Sequence, residues 1–449
     1  MGLTSRGILC GFGLWLCGAA LAAAQPAGDA GLGVAGPLRV DQCVQIALEH
    51  SDLIGQAEGR EDVARGGYWA SYSGILPSVT ADGGWQKARQ AVAGLLTDEG
   101  DATWGGVTVR GSLINVPAWR TIGAQGQAYA AAREDLRDTQ GAIEVAAREQ
   151  FYASVASLKL ADVEERALAL AKEQLRRSET LFRLGSVARS DVLQAQVSLA
   201  EAELVAIQRR NAVAIEHGRL AVVMGLDPRT ELEVDSSLVV PESDPQGELD
   251  SWVTQALGRR PDVAAARARL RAAELAQSAA RWLRLPTVGA QASWAQTKRA
   301  GDQESPSYQT GEWETLPYDY TSEDWSVAVA ANLNLFTGLQ TEGEIERAKG
   351  QVLESRELLE RLEKDAALEV RNSHVAIRDA RESLNAARTS VSLAEESLRL
   401  QQALYESGAG TLLDWDDARL KLRRAELSRI QAEISLLLSH ARFRRALGE

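Results

Sequence analysis

Residues 370–405, VRNSHVAIRDARESLNAARTSVSLAEESLRLQQALY, carry apolar side chains at every seventh position. These positions are Val370, Ile377, Leu384, Val391, Leu398 and Tyr405. A seven-residue repeat is typical of a helix that packs along a neighbour in a left-handed coiled coil. Because no proline occurs between Gly338 and Glu406, the pattern predicts one helix about 100 Å long, at roughly 1.5 Å per residue. A helix of similar length is predicted from about Ala118 to Arg183.

The chain carries the same order of features twice. Residues 181–225 align without a gap with residues 404–448, and 13 of the 45 pairs are identical. Each half reads helix, strand, loop, strand, very long helix, tight turn and helix. The shorter helices are predicted at roughly 41–75, 190–224, 251–284 and 414–447, so that two of them stacked end to end would match one long helix. We therefore expect an internal duplication.

The duplication and the N-terminal sequence together divide the chain into four segments. The expected boundaries are a signal peptide at 1–24, a first repeat at 25–225, an interrepeat linker at 226–250 and a second repeat at 251–449. Residues 1–24 combine Arg6, an apolar run from Gly7 to Leu21 and an Ala22-Ala23-Ala24 exit. Together these features are typical of a secretory signal, which predicts export of the mature chain.

The composition excludes several classes of function. Acidic residues outnumber basic ones by 62 to 49 among 449 residues, and the pI is near 5.1, so nucleic acid is not an expected partner because phosphate binding needs clustered cations. The four histidines are scattered. No pair of histidines has HExxH spacing, and no G-x-S-x-G, Walker or dinucleotide-binding pattern stands in a strand-turn-helix context. We expect no enzyme activity, no cofactor and no metal site.

Two stretches between the helices alternate with a period of two. Trp325, Val327 and Val329 alternate with small or polar residues, and so do Val107 and Val109. Such patterns are typical of transmembrane β-strands, although four hairpin strands in a soluble sheet remain an alternative. Loops are expected at 88–103 and 299–324, between the strands of each hairpin. Because the smallest transmembrane barrels use about eight strands, a membrane-spanning chain with four strands must oligomerise.

Four tryptophans lie in or at the ends of the predicted strands. They are Trp85, Trp104, Trp294 and Trp325. Amphipathic rings at the two ends of an apolar band are typical of a membrane interface. We therefore predict that these four side chains lie at the boundary between outer-membrane lipid and water.

The chain resembles the TolC-type outer-membrane efflux protein family, also called outer membrane factors. The resemblance covers nearly the whole mature chain. It rests on Leu38-Arg39-Val40-Asp41, Arg260-Pro261-Asp262-Val263, the Leu-Pro pairs at 76–77 and 285–286, and Leu333-Asn334-Leu335-Phe336-Thr337-Gly338. It implies a mostly α fold with a small β part. It further implies a homotrimer whose 12-stranded transmembrane β-barrel continues into a long periplasmic α-helical coiled-coil barrel.

Location and partners also follow from the resemblance. The family implies the outer membrane of a Gram-negative bacterium, with the helices extending into the periplasm. It implies a periplasmic adaptor (membrane fusion) protein and an inner-membrane pump as partners. Tight turns follow both long helices, and glycine there is explained by helix capping alone. By resemblance, the turns also contact the adaptor through Gly185, Ser186, Val187, Gly408, Ala409, Gly410 and Thr411.

Three acids, Asp414, Asp416 and Asp417, lie within four residues after the second turn. Carboxylates in a first helical turn are favoured by the helix dipole, so placement alone requires no function. By resemblance, Asp414 and Asp417 match the family positions whose carboxylates ring the periplasmic entrance, while Asp416 faces elsewhere. Three copies would supply six acids, and rings of carboxylates select cations.

Two functions remain open on the sequence. The first is a passive exit duct of a tripartite efflux or type I secretion system, gated at the helical tip by Asp414 and Asp417. The alternative is a periplasmic coiled-coil scaffold without channel activity. The two differ in the environment of Val107 and Val109, which would face lipid only in the duct.

Overall fold

The computed structural model describes residues 36–449, except for 93–95, 242, 308–310 and 408. The predicted signal peptide and Gly408 of the second turn therefore lie outside the described residues. The fold is mostly helical. The helices are α1 Val40–His50, α2 Asp52–Ser71, α3 Val116–Arg183, α4 Arg189–Val223, α5 Leu249–Arg259, α6 Pro261–Trp282, α7 Gln340–Glu406 and α8 Leu412–Ala446. A 3₁₀ turn covers Tyr72–Gly74.

The two long helices, α3 and α7, confirm the prediction from the apolar repeats. They contain 68 and 67 residues. Val370, Ile377 and Leu384 are fully buried in α7 and belong to one apolar cluster with Leu436 and Phe443 of α8. The seven-residue repeat is therefore the seam along which α7 packs against α8.

The shorter helices predicted at 41–75 and 251–284 are each divided in two, which corrects the sequence interpretation. Ser51 and Arg260 adopt extended backbone conformations, with ψ of 126° and 124°, and separate α1 from α2 and α5 from α6. Pro261 occupies the start of α6. Proline disfavours a helical conformation at the preceding residue, so the chain bends at Arg260.

Two glycines make equivalent close contacts. In each, the residues just after α4 or α8 pack against the junction between α1 and α2 or between α5 and α6. Gly225, just after α4, has φ +74°, and a Cβ there would lie 2.1 Å from the His50 carbonyl oxygen. Gly448, just after α8, has φ +80°, and a Cβ there would lie 2.9 Å from the Arg259 carbonyl carbon. Only glycine combines a left-handed backbone with this close approach.

The helices form one layer in the order α4, α3, α8, α7. Helix α3 packs against α4 and α8, and α8 packs against α7. Helix α2 packs on α3, and α6 packs between α3 and α7, so that they continue the tracks of α4 and α8. Helices α1 and α5 pack on α3 and α7 as additions to this layer. No helix in the described part of the chain has an apolar stretch long enough to cross a bilayer.

The four strands form one antiparallel sheet. They are β1 Ser78–Val92, β2 Leu96–Ile114, β3 Thr287–Pro306 and β4 Trp313–Asn332, in the order β1-β2-β3-β4. The strands extend through most of the residues predicted as loops at 88–103 and 299–324. Cross-strand ion pairs accompany this extension: Lys298 lies 3.4 Å from Asp319 and Lys87 lies 3.7 Å from Glu99.

Each strand is adjacent in sequence to a different track of the helical layer. Strand β1 follows α2, β2 precedes α3, β3 follows α6 and β4 precedes α7. The order across the sheet is therefore the order across the helices. The sheet and the helices make one continuous wall with two open sides, at β1 with α2 and α4, and at β4 with α7.

Candidate functional site

The turn between α7 and α8 is closed by its own backbone and by Thr411. The N–H groups of Ala409 and Gly410 donate to the Leu404 carbonyl oxygen at 2.9 and 3.0 Å. Thr411 caps α8 because its Oγ1 accepts a hydrogen bond from the Asp414 N–H at 3.2 Å. The same hydroxyl donates to Asp414 Oδ2 at 2.6 Å. This double contact fixes the Asp414 side chain at the start of the helix.

The three acids of the first turn have different environments. Asp414 and Asp417 are exposed and lie three residues apart, on one face of α8. Asp417 Oδ2 lies 2.6 Å from Lys421 Nζ. Asp416 is half-buried and lies 3.3 Å from Arg419, on another side of the helix. All three acids have partners within the chain, but only Asp414 and Asp417 are exposed to solvent at the tip.

A cluster around Arg419 joins α8 to α3, and sequence reasoning did not find it. Arg419 Nη1 donates to Gln174 Oε1, and its guanidinium lies 5.5 Å from the centre of the Trp415 ring. Trp415 stacks on Tyr405 of α7 at 5.3 Å. Burial lowers the pKa of Arg419, and Asp416 partly opposes this effect. The cluster thus links three helices directly beside Asp414.

This cluster leaves polar atoms unsatisfied. Gln174 Nε2 and Trp415 Nε1 are buried and have no hydrogen-bond partner in the described part of the chain. A buried unsatisfied donor costs about 1–3 kcal/mol. The contact between α3 and α8 at this end therefore contains groups that would gain water if the two helices separated.

Two further ion pairs connect α8 to α3 away from the tip. Arg423 Nε lies 2.8 Å from Glu164 Oε2, and Glu164 is buried. Arg442 Nη2 lies 2.8 Å from Glu149 Oε1. The polar contacts between the first and second halves therefore extend along much of α8.

The turn between α3 and α4 uses glycine in a left-handed conformation. Gly185 has φ +73°, and its N–H donates to the Phe182 carbonyl oxygen at 2.9 Å. The Ser186 N–H donates to the Leu181 carbonyl oxygen at 2.9 Å. Gly185 and Ser186 are exposed and Val187 is half-buried. These residues form a compact, largely exposed end. At the other turn, Ala409 and Thr411 are exposed and Gly410 is half-buried.

The sheet has one apolar face. Val79, Val109, Ala292 and Val327 are cross-strand neighbours, and Ala81, Val107, Trp294 and Trp325 make the next row of this face. Trp85 lies on the same face because it is an even number of residues from Ala81. Trp104 lies on the opposite face, where its ring covers Gly84. Trp104 therefore differs from the other three tryptophans in the face it occupies, and the interface role of all four stays a prediction.

A half-buried ionic network, whose outer member Glu369 is exposed, holds the joint between α5 and α6. Arg260 Nη2 lies 2.8 Å from Asp262 Oδ2, and Arg260 Nη1 lies 2.6 Å from Glu369 Oε2. Burial raises the pKa of Asp262, but hydrogen bonds from Arg260 outweigh it and hold the pKa below its usual value. Burial, together with the charge of Asp262, raises the pKa of Asp138 nearby. The Arg-Pro-Asp motif therefore has a structural role at this joint.

Known proteins match this chain along most of its length. A family model described as outer membrane efflux protein matches residues 43–226 and again residues 252–449. Protein CyaE of Bordetella pertussis is 26% identical over 395 residues, which cover 84% of this chain and 78% of that protein. The probable efflux pump outer membrane protein TtgC of Pseudomonas putida is 24% identical over 425 residues, which cover 91% and 82%.

Solved structures share the fold. The Campylobacter jejuni CmeC outer membrane channel superimposes with a TM-score of 0.77 at 18% identity, covering 91% of this chain and 85% of that one. The Neisseria gonorrhoeae MtrE outer membrane channel, in an open state, gives a TM-score of 0.73 at 19% identity, with 91% and 89% covered.

These findings define a channel-type protein rather than an enzyme, as the sequence predicted. The chain belongs to the outer membrane efflux protein family. Its location is accordingly the outer membrane of a Gram-negative bacterium, with the helices extending into the periplasm.

Proposed function

We propose that three copies of this chain form the exit duct of a tripartite efflux or type I secretion system. The observation that carries the proposal is the pair of open sides on the wall. Strands β1 and β4 are the edges of the sheet, and unpaired edge groups have no partner within a bilayer. Pairing β4 of one copy with β1 of the next satisfies both edges. Three such contacts close a ring of twelve strands.

The helical layer supports the same closure. On the α4 side, Leu193, Val197, Leu204 and Ile207 form an exposed apolar row, each more than half exposed. On the α7 side, Val375, Leu393 and Leu400 are exposed away from the seam with α8. A ring that pairs β4 with β1 also brings α7 beside α4 of the next copy. Both apolar rows are then buried.

The internal duplication explains why one chain supplies two equivalent parts of this wall. Both halves have the same element order, and the glycine joints at Gly225 and Gly448 are built alike. The family model also matches each half separately. These features support repeat boundaries at 25–225 and 251–449, with the linker 226–250 between them. The signal peptide at 1–24 is proposed from its sequence alone.

The gate is proposed at the helical tip. Six carboxylates from Asp414 and Asp417 of three copies would surround the opening, favouring cations and excluding anions. The tips at Gly185, Ser186, Val187, Gly408, Ala409, Gly410 and Thr411 would receive the adaptor, and the inner-membrane pump would supply the energy. The duct itself conducts passively. The TtgC protein of another Pseudomonas putida strain is described as a toluene efflux pump outer membrane protein, which favours efflux of small molecules.

The alternative function is a periplasmic scaffold. A charge placed on one face of the sheet or on the other distinguishes this scaffold from the duct. Val327→Lys puts a charge on the apolar face, whereas Ser326→Lys puts it on the opposite face one residue away. If the apolar face lies in lipid, Val327→Lys costs about 2–4 kcal/mol per copy near the membrane centre. We expect it to abolish heat-resistant trimers and bilayer conductance, while Ser326→Lys assembles. Equal assembly and no conductance in either variant would support the scaffold.

A further inference from the structure

Three tryptophans lie at the ends of the helices that adjoin the sheet. Trp69 is in the last turn of α2, Trp119 is in the first turn of α3, and Trp282 is the last residue of α6. These residues are 68%, 61% and 38% exposed. Because each helix is joined to a different strand, three neighbouring columns of the wall carry an exposed indole ring at the same end.

Trp119 points out of the helical layer. Around α3 it lies between Tyr129, whose ring stacks on Tyr68 of α2, and Ala131, which packs against α6. At about 100° per residue, Trp119 is about 80° from Tyr129 and about 120° from Ala131. Its side chain is therefore on one of the two open faces of the layer.

Trp282 lies on the same face. It is one heptad after Leu275 and so points in nearly the same direction from α6. A Cβ on Gly123 of α3 would lie 3.3 Å from Leu275 Cδ1. Gly123 is only about 40° from Trp119 around α3, so both tryptophans are on the same side of the contact between α3 and α6.

Trp69 completes the set on this face. A Cβ on Gly126, one heptad after Trp119, would lie 3.3 Å from Tyr68 Cε2. The residue before Tyr68 approaches Gln125 instead, on the other side of the contact between α2 and α3. The rotation along α2 from position 67 to Tyr68 is therefore toward the Trp119 side, and one further residue brings Trp69 onto it.

Helix α1 packs on this face as well. Arg148 of α3 lies 3.5 Å from Asp41 of α1. It lies between Ser154, which contacts α4, and Val163, which contacts α8, in the same rotational sense as Trp119 lies between α2 and α6. The tryptophans therefore share a face with α1, and with α5 as its repeat equivalent.

This face is the outside of the proposed ring. Twelve helices spaced about 9 Å apart enclose a lumen about 25 Å wide, which six helices about 10 Å across would fill. An open duct therefore needs α1 and α5 of all three copies outside. The inference rests on the proposed function at this step, because closure of the ring defines an outside. The three tryptophans then lie next to the sheet on the lipid side.

The uncompensated charges at these helix ends are basic. Arg120 and Arg281 are each adjacent in sequence to one of the tryptophans, are exposed, and form no ion pair within the described residues. Arg65 lies 5.9 Å from the centre of the Trp69 ring. The nearby acids are each paired with an arginine. The pairs are Asp62 with Arg65, Glu342 with Arg284, and Glu344 with Arg347.

We propose that Trp69, Trp119, Trp282, Arg120 and Arg281 form a collar that binds anionic phospholipid at the periplasmic boundary of the bilayer. Indole rings suit this boundary because one edge is apolar and the N–H is polar. A guanidinium matches the geometry of a phosphate group and reaches it on a flexible apolar stem. Three copies place nine tryptophans and six arginines around the duct.

The first test measures lipid selectivity. The purified full-length protein is reconstituted in phosphatidylcholine vesicles, and electron spin resonance compares its association with spin-labelled phosphatidylglycerol and spin-labelled phosphatidylcholine. Arg120→Gln/Arg281→Gln removes the two charges. Arg133→Gln/Arg271→Gln is the matched control, because it removes two exposed arginines of the same helices, about 15–20 Å further from the sheet.

We expect the wild type and the control to prefer phosphatidylglycerol by about two- to fivefold. The Arg120→Gln/Arg281→Gln variant should lose most of this preference. Equal preference in all three proteins would place the anionic lipid elsewhere and overturn the proposal. Absence of any preference in the wild type would overturn it as well.

The second test locates the rings. Tryptophan emission of the wild type is compared with that of Trp69→Phe/Trp119→Phe/Trp282→Phe, in vesicles of phosphatidylcholine brominated either near the headgroup or near the chain end. The emission lost in the variant should be quenched at least twofold more by bromine near the headgroup. No quenching of this emission by either lipid would overturn the collar.

Conductance of the same preparations separates the two proposals. A protein that conducts but shows neither lipid preference nor quenching retains the duct and loses the collar. A folded protein that neither conducts nor contacts lipid loses the duct, and the collar with it.

Discussion

Arg419 of α8 donates a hydrogen bond through Nη1 to Oε1 of Gln174 in α3. The two residues belong to different halves of the chain, and Arg419 follows the exposed Asp417 by two residues. Position 174 has little exposure, at 5%, and the bond forms beside donors that have no partner. The contact therefore connects the beginning of α8, near the proposed gate, to α3 of the first half.

Arg419→Ala is expected to weaken the contact between α8 and α3 near the tip. We therefore expect single-channel conductance to increase severalfold. The substitution removes a hydrogen bond from a charged group, which contributes about 1–3 kcal/mol, and leaves Gln174 buried without a partner. Planar-bilayer recordings provide the measurement. Arg424→Ala is the control, because Arg424 is an exposed arginine of the same helix. If both variants conduct like the wild type, Arg419 has no part in closure.

The glycine joint at Gly225 makes a prediction about stability. Gly225→Ala places a methyl group 2.1 Å from the His50 carbonyl oxygen in a left-handed conformation, which we expect to cost more than about 2 kcal/mol. Gly141→Ala in α3 meets no atom within 4 Å and should stabilise the helix by about 0.5–1 kcal/mol. Thermal unfolding followed by circular dichroism should therefore shift in opposite directions. If both variants shifted the unfolding temperature in the same direction, the close contact between Gly225 and His50 would be contradicted.

Asp138 predicts a pH-dependent effect. Its pKa is raised in the folded protein, first by burial and then by Asp262, so ionisation destabilises the fold as pH rises above the ordinary aspartate value. Asp138→Asn removes this penalty at pH 7, and the unfolding temperature should rise. Below the unfolded-state pKa both forms are neutral, and the variant should match the wild type at pH 3. A variant less stable than the wild type at pH 7 would contradict this assignment.

The sequence predicted the long helices and the apolar strand face because both depend on local periodicity. Val370, Ile377 and Leu384 repeat every seven residues whatever their partner is. Trp104 could also have been placed, since it is three residues from Val107 and an odd separation reverses the face of a strand. The division at Ser51 was missed although the Ser-Asp pair at 51–52 is a helix-start signal.

Other features depend on contacts that the sequence does not encode locally. Asp98 to Asp101 was interpreted as part of a loop because its residues are polar on both faces. The segment lies in β2, and its Glu99 has a basic partner, Lys87, on the neighbouring strand. Asp319 of β4 likewise pairs with Lys298 of β3. Likewise, nothing near Arg419 in the sequence indicates Gln174, which is far away in the chain. Such pairs form only when the two halves pack together.

The central claim is that this chain forms a cation-selective duct closed by the carboxylates of Asp414 and Asp417. The most direct test compares single-channel recordings of the purified wild type with those of the double variant Asp414→Ala/Asp417→Ala in a planar bilayer. We predict small, cation-selective openings for the wild type, and larger openings with reduced selectivity for the variant. Absence of conductance from both folded proteins would contradict the duct, and identical conductance and selectivity would contradict the gate.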